Sequence, residues 1–176
     1  DGDIQLLESL RQDPEAVSSL VFALPGNEQV RVGELPASSS DELCALNVFP
    51  EAIGFVASAE TLPSLAGHIT PRLDADGVTR ATPAFLCFEG KAYPSLALKA
   101  FLKATGLGNS VVVRSGGLFE PSYQLVLDAS LALPLDAAGS LVVPYLSLTE
   151  SFDRVSGVDV LAGQAVLDGR WAILGS

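Results

Sequence analysis

Short apolar runs, bounded by proline, glycine and charged residues, dominate the chain and predict more strands than helices. The predicted strands lie at residues 16–24, 53–58, 67–70, 78–88, 110–114, 124–133, 140–146 and 169–176. Residues 26–51 are more polar, and we expect them to form loop with little regular structure. Because helical segments recur between the strands, the pattern predicts an α/β fold, with α+β as the alternative: a mixed sheet with several antiparallel hairpins and packed helices.

Three segments have the spacing of helices. The clearest is residues 94–106, where Pro94 suits the first turn and Gly106 suits the C-terminal end. Within it, Leu98, Phe101 and Leu102 are expected to share one face. The two shorter helices are predicted at residues 3–12, capped by Asp3, and at residues 156–163, capped by Ser156.

The sequence Leu-Asp-Ala-x-Gly occurs twice, at residues 73–77 and 135–139. Aspartate side chains accept hydrogen bonds from nearby backbone amides, and glycine adopts positive φ without strain. Both copies are therefore predicted to be hairpin connections, the second between strands at 131–135 and 140–146. Pro83 predicts an edge position or a bulge in the strand that follows the first copy.

Composition excludes several classes of protein. The chain has 176 residues, of which 48% are hydrophobic, so it can bury a core and is not disordered. No apolar run reaches the ~18 residues that a membrane-spanning helix needs. The formal net charge of −11 disfavours nucleic-acid binding. Residues 52–114 alone carry a net positive charge, which indicates either ordinary solvated surface or a face toward an anionic partner.

Residue types that carry catalysis or bind metals are sparse. Cys44 and Cys87 permit one disulfide, but the apolar run around Cys87 favours a buried free thiol. A single histidine, His68, cannot complete a zinc site. An EF-hand alignment on the first turn places Arg72 at the first ligand position and Pro83 at the last, which excludes an EF-hand and leaves only a looser calcium site at Asp74 and Asp76. No serine-nucleophile elbow is present, so we expect no cofactor, no metal and no catalytic residues.

Five segments in a fixed order resemble the second type of CHASE domain, the cyclase/histidine-kinase-associated sensory extracellular domain. The first matches the family's D-x-D-G-V-x-R-x-x-P pattern with Asp74, Asp76, Gly77, Arg80 and Pro83. The other four are Tyr-Pro-Ser-Leu-Ala at 93–97, Pro-Leu-Asp-x-x-Gly at 134–139, Asp-Val-Leu-x-Gly at 159–163, and an apolar strand ending at Gly175. The stretch after the second turn, which contains Pro144 and Tyr145, departs from the family pattern.

The resemblance implies an extracytoplasmic sensory or ligand-binding domain of a membrane-bound signal-transduction receptor. The domain would lie in the periplasm or outside the cell, anchored to the inner or plasma membrane through flanking transmembrane helices outside this chain. A cyclase, histidine kinase or diguanylate cyclase would follow. Residues 1–176 would be a single domain that lacks the family's leading strand–helix–strand unit. The partner would be an unknown small-molecule or protein ligand, and a homodimer is compatible with this role.

Four residues are candidate ligand contacts: Arg80, Asp76, His68 and Tyr93. Arg80 has an alternative structural role as a buried ion-pair partner of Asp74 or Asp76, and His68 has one as a surface or strand histidine. Two other functions remain open on the residues alone. One is a carboxylate-dependent periplasmic hydrolase that uses Asp74, Asp76 and Asp136, and the other is a dimerisation domain without a ligand.

Overall fold

The computed structural model describes residue 8, residue 12 and residues 16–38, 42–57, 66–107, 111–116, 123–145 and 155–165. The chain forms two compact units, Asp1–Val143 and Pro144–Ser176. The expectation of one domain over residues 1–176 without a leading unit stays a prediction. Glu8 and Gln12 are helical, as the first predicted helix requires, and the rest of that helix and the predicted strand 169–176 lie outside the described residues.

A four-stranded sheet begins the first unit. Its strands, in the spatial order β2-β3-β1-β4, are β1 (Ser18–Ala23), β2 (Arg31–Val32), β3 (Gly54–Val56) and β4 (Ala66–His68). Strand β3 is antiparallel to β1, whereas β4 is parallel to β1 and β2 is parallel to β3. Along β1, Leu20 and Phe22 are buried and Val21 between them is exposed, which is the alternation of a strand with one solvated face. Strand β2 and the 3₁₀ turn Cys44–Leu46 are short, so the described part of residues 26–51 has little regular structure, as expected.

The predicted strand 78–88 is wrong as one element, because it is divided into β6 (Thr79–Pro83) and β7 (Phe85–Phe88). Strand β6 lies between β5 (Arg72–Leu73) and β12 (Ser140–Val142) in a second sheet, whereas β7 forms a hairpin with β8 (Lys91–Pro94). Pro83 has no amide hydrogen to extend the pairing, and the next amide, of Ala84, donates to the Gly139 carbonyl. Strand β6 therefore ends at Pro83, where the sequence predicted an edge position or a bulge.

The predicted strand 124–133 is also two strands. Strands β9 (Val112–Ser115), β10 (Tyr123–Val126) and β11 (Ala132–Leu135) form an antiparallel sheet in the order β11-β10-β9. Between β10 and β11, one carboxylate oxygen of Asp128 accepts hydrogen bonds from the amides of Ser130 and Leu131, at 2.6 and 2.8 Å. This local bonding closes a turn in the middle of an apolar run.

The long helix, α1, spans Leu96–Thr105. Its N-cap is Ser95, whose hydroxyl accepts the Leu98 amide, so the helix begins two residues later than predicted and Pro94 ends strand β8. Gly106 closes the helix with φ at 69°, as expected. Leu98 and Leu102 are buried, whereas Phe101 is 39% exposed and does not share their environment.

The second unit contains a short helix, α2 (Gly157–Leu161), with Ser156 as its N-cap. The Ser156 hydroxyl accepts the Val158 amide at 3.2 Å, which confirms the predicted cap. Gly163 lies just beyond the helix with a positive φ of 69°. Over the described residues the protein is mostly β, with mixed sheets, antiparallel hairpins and few helices, so the α/β expectation holds only in part.

Strand β7 separates two hydrophobic cores of the first unit, and all four of its residues are buried. Phe85 and Cys87 belong to one core, and Leu86 and Phe88 belong to the other, because successive side chains of a strand point to opposite faces. The first core includes Phe49, Leu98, Leu102, Leu125 and Leu135. The second core includes Leu20, Phe22 and Tyr93.

A disulfide joins Cys44 to Cys87, so the expectation of a free thiol at Cys87 is wrong. A 3₁₀ turn at Cys44–Leu46 places Cys44 against β7, and the two Cα atoms lie 5.8 Å apart. The segment that follows this turn is held on β7 by backbone bonds, from the Cys87 amide to the Pro50 carbonyl and from the Ala52 amide to the Cys87 carbonyl. Sequence spacing did not show this approach because it depends on the path of residues 42–52.

Candidate functional site

The two repeated turns have the same backbone geometry. In the first, the Asp74 amide donates to the Val78 carbonyl at 3.1 Å, and the Gly77 amide donates to the Asp74 carbonyl at 2.9 Å. Asp136 and Gly139 repeat this arrangement in the second turn. Gly77 and Gly139 have φ values of 77° and 67°, the left-handed conformation that glycine adopts without strain. Both predicted turns are present. The first is a hairpin connection between the paired strands β5 and β6, whereas the second joins β11 to β12, which lie in different sheets, so its prediction as a hairpin is wrong.

Arg80 is bound by both aspartates of the first turn. Its Nη1 lies 2.8 Å from Oδ2 of Asp74 and 2.9 Å from Oδ1 of Asp76, and its Nη2 lies 2.7 Å from Oδ2 of Asp76. The Arg80 guanidinium, and secondarily the Val78 amide, lower the pKa of Asp76. The group lies on the surface, with the Arg80 side chain 54% exposed. The predicted ion pair of Arg80 is present, although it is exposed and not buried.

The second turn receives its arginine from a neighbouring strand. Nη1 of Arg72 on β5 lies 2.7 Å from Oδ2 of Asp136 and 3.1 Å from Oγ of Ser140. The other Asp136 oxygen accepts the amides of Ala138 and Ser140, both at 2.9 Å. Partial burial raises the pKa of Asp136, but the Ser140 amide and the Arg72 guanidinium outweigh it, and the pKa lies below its ordinary value.

Strands β5, β6 and β12 with the turns 74–77 and 136–139 are called the turn sheet below. Its two arginine groups are on one three-stranded sheet, in the order β12-β6-β5. Arg72 pairs with Ala81 across β5 and β6, and Ala81 pairs with Val142 across β6 and β12. The turn sheet therefore brings together residues that are far apart in the sequence. Arg72 and Ser140, for example, are separated by 68 positions.

His68 is buried in the second core, with 1% of its surface exposed. Neither ring nitrogen makes a hydrogen bond. Burial lowers the pKa of His68 from its ordinary 6.5 to about 4, and the Pro83 backbone opposes this only weakly. The ring is therefore neutral at physiological pH. Its edge faces Phe22, with the ring centroids 6.3 Å apart.

Tyr93 is also buried, at 4% exposure, on strand β8. Its ring lies 5.2 Å from that of Phe22, so His68 and Tyr93 are both neighbours of one phenylalanine. The four candidate residues thus form two groups. Arg80 and Asp76 contact each other on the turn sheet, whereas His68 and Tyr93 lie in the second core.

The sequence did not predict two contacts of the structure, the Arg72–Asp136 ion pair and the disulfide. Arg72 was considered only for a calcium loop, yet it binds Asp136, and its place directly before the first turn was the available signal. The disulfide had no signal beyond the presence of two cysteines. The possible calcium ligands Asp74 and Asp76 both face the Arg80 guanidinium. Among the described residues, no group of three or more His, Cys, Asp and Glu side chains is placed to bind a metal.

Comparison with known families identifies the chain. The family model for the CHASE2 domain matches residues 1–176, the whole chain. The chain belongs to the CHASE2 domain family. This confirms the resemblance and extends it beyond the segments that carried it. CHASE2 domains are extracellular sensory domains of cyclases and kinases, and their role is sensory and not catalytic.

No curated protein and no solved structure matches the chain. Within the part of the chain that the structure describes, no helix has the length and apolar character needed to cross a membrane. Among the comparisons, the family match is therefore the finding that bears on the function of this CHASE2 domain.

Proposed function

We propose that this CHASE2 domain is the extracytoplasmic input domain of a membrane-bound receptor with a cyclase, histidine kinase or diguanylate cyclase output. The observation that carries the proposal is the family match over residues 1–176. The domain binds a small molecule or protein in the periplasm or outside the cell. Binding changes how the sheets pack against α1, and flanking transmembrane helices pass the change to the output domain, which requires different affinities for two conformations.

The disulfide supports the extracytoplasmic location. Cys44 and Cys87 are 8% and 1% exposed, so the bond is part of the first core and not a surface addition. Structural disulfides persist in oxidising compartments and are rare in the cytosol. Mass spectrometry of the domain purified after export to the periplasm, with and without reduction, would detect the bond. Free thiols in the folded, exported protein would contradict the location.

The turn sheet is the proposed ligand-contact surface. Arg80 and Asp76 are both about half exposed, so a ligand reaches them without opening the core. Exposed ion pairs contribute little, typically below about 1 kcal/mol, so an anionic group can replace an aspartate on Arg80 at low cost. His68 and Tyr93 stay predictions as ligand contacts. Because both are buried, their part in sensing would be to transmit a change in packing.

A thermal-shift screen of small anions, amino acids and sugars tests the surface. A ligand that binds the turn sheet raises the melting temperature of the wild type, and Arg80→Gln reduces this shift. Arg114→Gln is the matched control, because Arg114 is an exposed arginine on β9 in another sheet. A ligand whose shift depends on Arg114 and not on Arg80 would place the site elsewhere. Dimerisation in ultracentrifugation with no stabilising ligand would favour the ligand-free dimer.

The alternative of a carboxylate-dependent periplasmic hydrolase is disfavoured by the same geometry. A carboxyl that donates a proton near neutral pH needs a raised pKa. Asp76 and Asp136 instead have lowered pKa values, and both bind arginines. Hydrolysis of any substrate in a broad panel, lost in Asp76→Ala, would nevertheless restore that alternative.

A further inference from the structure

Strand β4 is held closely against the N-terminal end of α1. His68 forms a parallel bridge with Ser95, the N-cap residue of α1. A Cβ added to Gly67 would overlap the Leu96 backbone, so only glycine permits this approach. On its other side β4 pairs with β1, where His68 is opposite Leu20. The junction of β4 with Ser95 and Leu96 is called the β4–α1 junction.

The imidazole at this junction has neutral neighbours. Leu20 and Phe22 on β1 are apolar, Ser95 at the helix end is uncharged, and Pro83 on β6 presents only its backbone. Tyr93 on β8 is a titratable group that packs against the same Phe22 ring. Along α1 the first charged residue is Lys99, one turn beyond Ser95, and it is a cation. Among the described residues, no carboxylate contributes to the pKa of His68.

A charged imidazolium is therefore unfavourable here for three independent reasons. The site excludes water, since His68 is 1% exposed. Neither ring nitrogen makes a hydrogen bond in this arrangement, and the Pro83 backbone, which favours the protonated ring, does not offset the effect of burial. The N-terminal end of α1 carries partial positive charge, which repels a cation next to Ser95. Acid can protonate the ring only if β4 moves and water reaches it.

We propose that protonation of His68 opens the β4–α1 junction, so that this CHASE2 domain responds to acidification of its compartment. The opened form exposes His68 to water and releases β4 from Ser95, while the turn sheet and the first core stay folded. Strand β4 is short, and Ile69 beside it is already 51% exposed, so a local opening needs little other rearrangement. The inference concerns the fold alone and does not depend on which ligand or output the domain has.

The size of the response follows from the two protonation equilibria. The pKa of His68 is about 4 in the closed form and 6.5 in an open, solvated one. Linkage then favours the open form at pH 5 by roughly 20-fold more than at pH 7. The effect begins as the pH falls below 6.5 and is complete below the pKa of the closed form.

Two measurements on the wild-type chain test the proposal. His68 is the only histidine, so its imidazole signals in NMR spectra are assigned without variants. They should resist protonation between pH 7 and 5 in the closed form. Hydrogen exchange, corrected for intrinsic rates, should accelerate roughly 20-fold at the amides of β4 and the first turn of α1 from pH 7 to 5, and not at β10. Ordinary titration near 6.5 with unchanged exchange would overturn the proposal.

Variants separate the charge from the loss of packing. His68→Leu removes the titrating group, and the pH dependence of exchange at β4 should disappear. Thr70→Val is the matched control: it removes the hydroxyl that accepts the Phe22 amide at 2.7 Å and loosens the same region without changing a charge. It should raise exchange equally at pH 7 and 5. Should His68→Leu retain the wild-type pH dependence, or fail to fold while the wild-type β4 amides show none, the proposal is refuted.

Discussion

In each of the two repeated turns an arginine binds the first aspartate, but the two arginines come from different parts of the chain. Asp74 is bound by Arg80, six residues later on the strand that leaves the turn. Asp136 is bound by Arg72, from a strand that precedes both turns in the chain. An arginine after the second turn is therefore not needed, because the turn sheet supplies one from β5. This explains why Arg80 has no counterpart after Gly139.

The glycines of the two turns provide a matched pair of substitutions. Both have positive φ, so alanine at either position costs about 1–2 kcal/mol of strain. At Gly77 an added Cβ meets open space, whereas at Gly139 it would lie 2.6 Å from Cδ1 of Phe49. We expect Gly139→Ala to lower the free energy of unfolding by about 1–3 kcal/mol more than Gly77→Ala.

Urea unfolding followed by circular dichroism measures this difference. Phe49 cannot move freely, because it is buried and its ring packs 5.2 Å from Phe85. A Phe49→Leu background should reduce the difference between the two glycine variants. Equal costs for Gly77→Ala and Gly139→Ala would mean that Phe49 does not restrict the second turn.

The two serine caps form a second pair. Ser95 is 2% exposed and its hydroxyl accepts the Leu98 amide at the start of α1. Ser95→Ala leaves that amide without its partner and is expected to cost about 1–2 kcal/mol in the unfolding of the first unit. Ser156→Ala removes an exposed cap from the five-residue helix α2 and should leave that transition unchanged. A Ser95→Ala cost within error of zero would contradict the role of the cap.

At the scale of elements, local chemistry predicted the turns and caps well. The Asp-x-x-Gly turns, the Ser156 cap and the Gly106 end of α1 depend on neighbouring residues only, and the sequence contains them. Residues 78–88 were expected to form one strand, with an edge position or a bulge at Pro83. The segment is divided where Pro83 ends one pairing and Ala84 bonds to Gly139, a residue far along the chain. Pairing over such distances has no local signal.

The candidate site was predictable to a similar extent. Arg80 and Asp76 lie four residues apart, and their contact follows from the hairpin that the turn creates. The burial of His68 was not predictable, because it results from β4 lying between β1 and the end of α1. The Arg72–Asp136 pair likewise requires β12 to return beside β6. Contacts within a hairpin could thus be inferred, whereas contacts between elements could not.

The disulfide is the strongest single constraint between elements of the first unit. It closes a segment with a sequence separation of 43, for which the loss of unfolded-chain entropy corresponds to about 4 kcal/mol. We expect the double variant Cys44→Ala, Cys87→Ala to unfold at lower urea concentration, with a loss of about 2–4 kcal/mol. Reductant should destabilise the wild type similarly and leave the double variant unchanged. Equal stability of oxidised wild type and double variant would show that the link is dispensable.

At the scale of the whole molecule, the charge distribution is less simple than the composition indicates. The net charge is −11, and residues 52–114 are the only third with a positive balance. Two of their six basic residues, Arg72 and Arg80, are engaged by carboxylates of the turn sheet. Burial lowers the pKa of a third, Lys99. An anionic partner for this third of the chain therefore stays a prediction and would have to compete with existing ion pairs at Arg80.

The stability of the chain should fall with acid in two phases that have different origins. The pKa of His68 is lower in the folded state than the ordinary 6.5, so the folded state binds fewer protons and loses stability from pH 6.5 down to about 4. The full loss is about 3 kcal/mol. The second phase comes from Asp136, whose pKa is lowered because the folded state stabilises its charged form. Its ion pair with Arg72 stabilises the folded state above the ordinary pKa of 3.8, and this stabilisation is lost as the pH falls below that value.

Urea unfolding at pH 7, 5.5, 4.5 and 3 separates the phases. His68→Leu should remove the decline between pH 7 and 4.5 and leave the later one. Asp136→Asn should reduce only the decline below pH 4, because asparagine cannot form the ion pair with Arg72. Asp76 and Asp128 lie on the surface, so their lowered pKa values add little to the second phase. A first phase that survives in His68→Leu would assign acid sensitivity to the surface charges of the molecule and not to the β4–α1 junction.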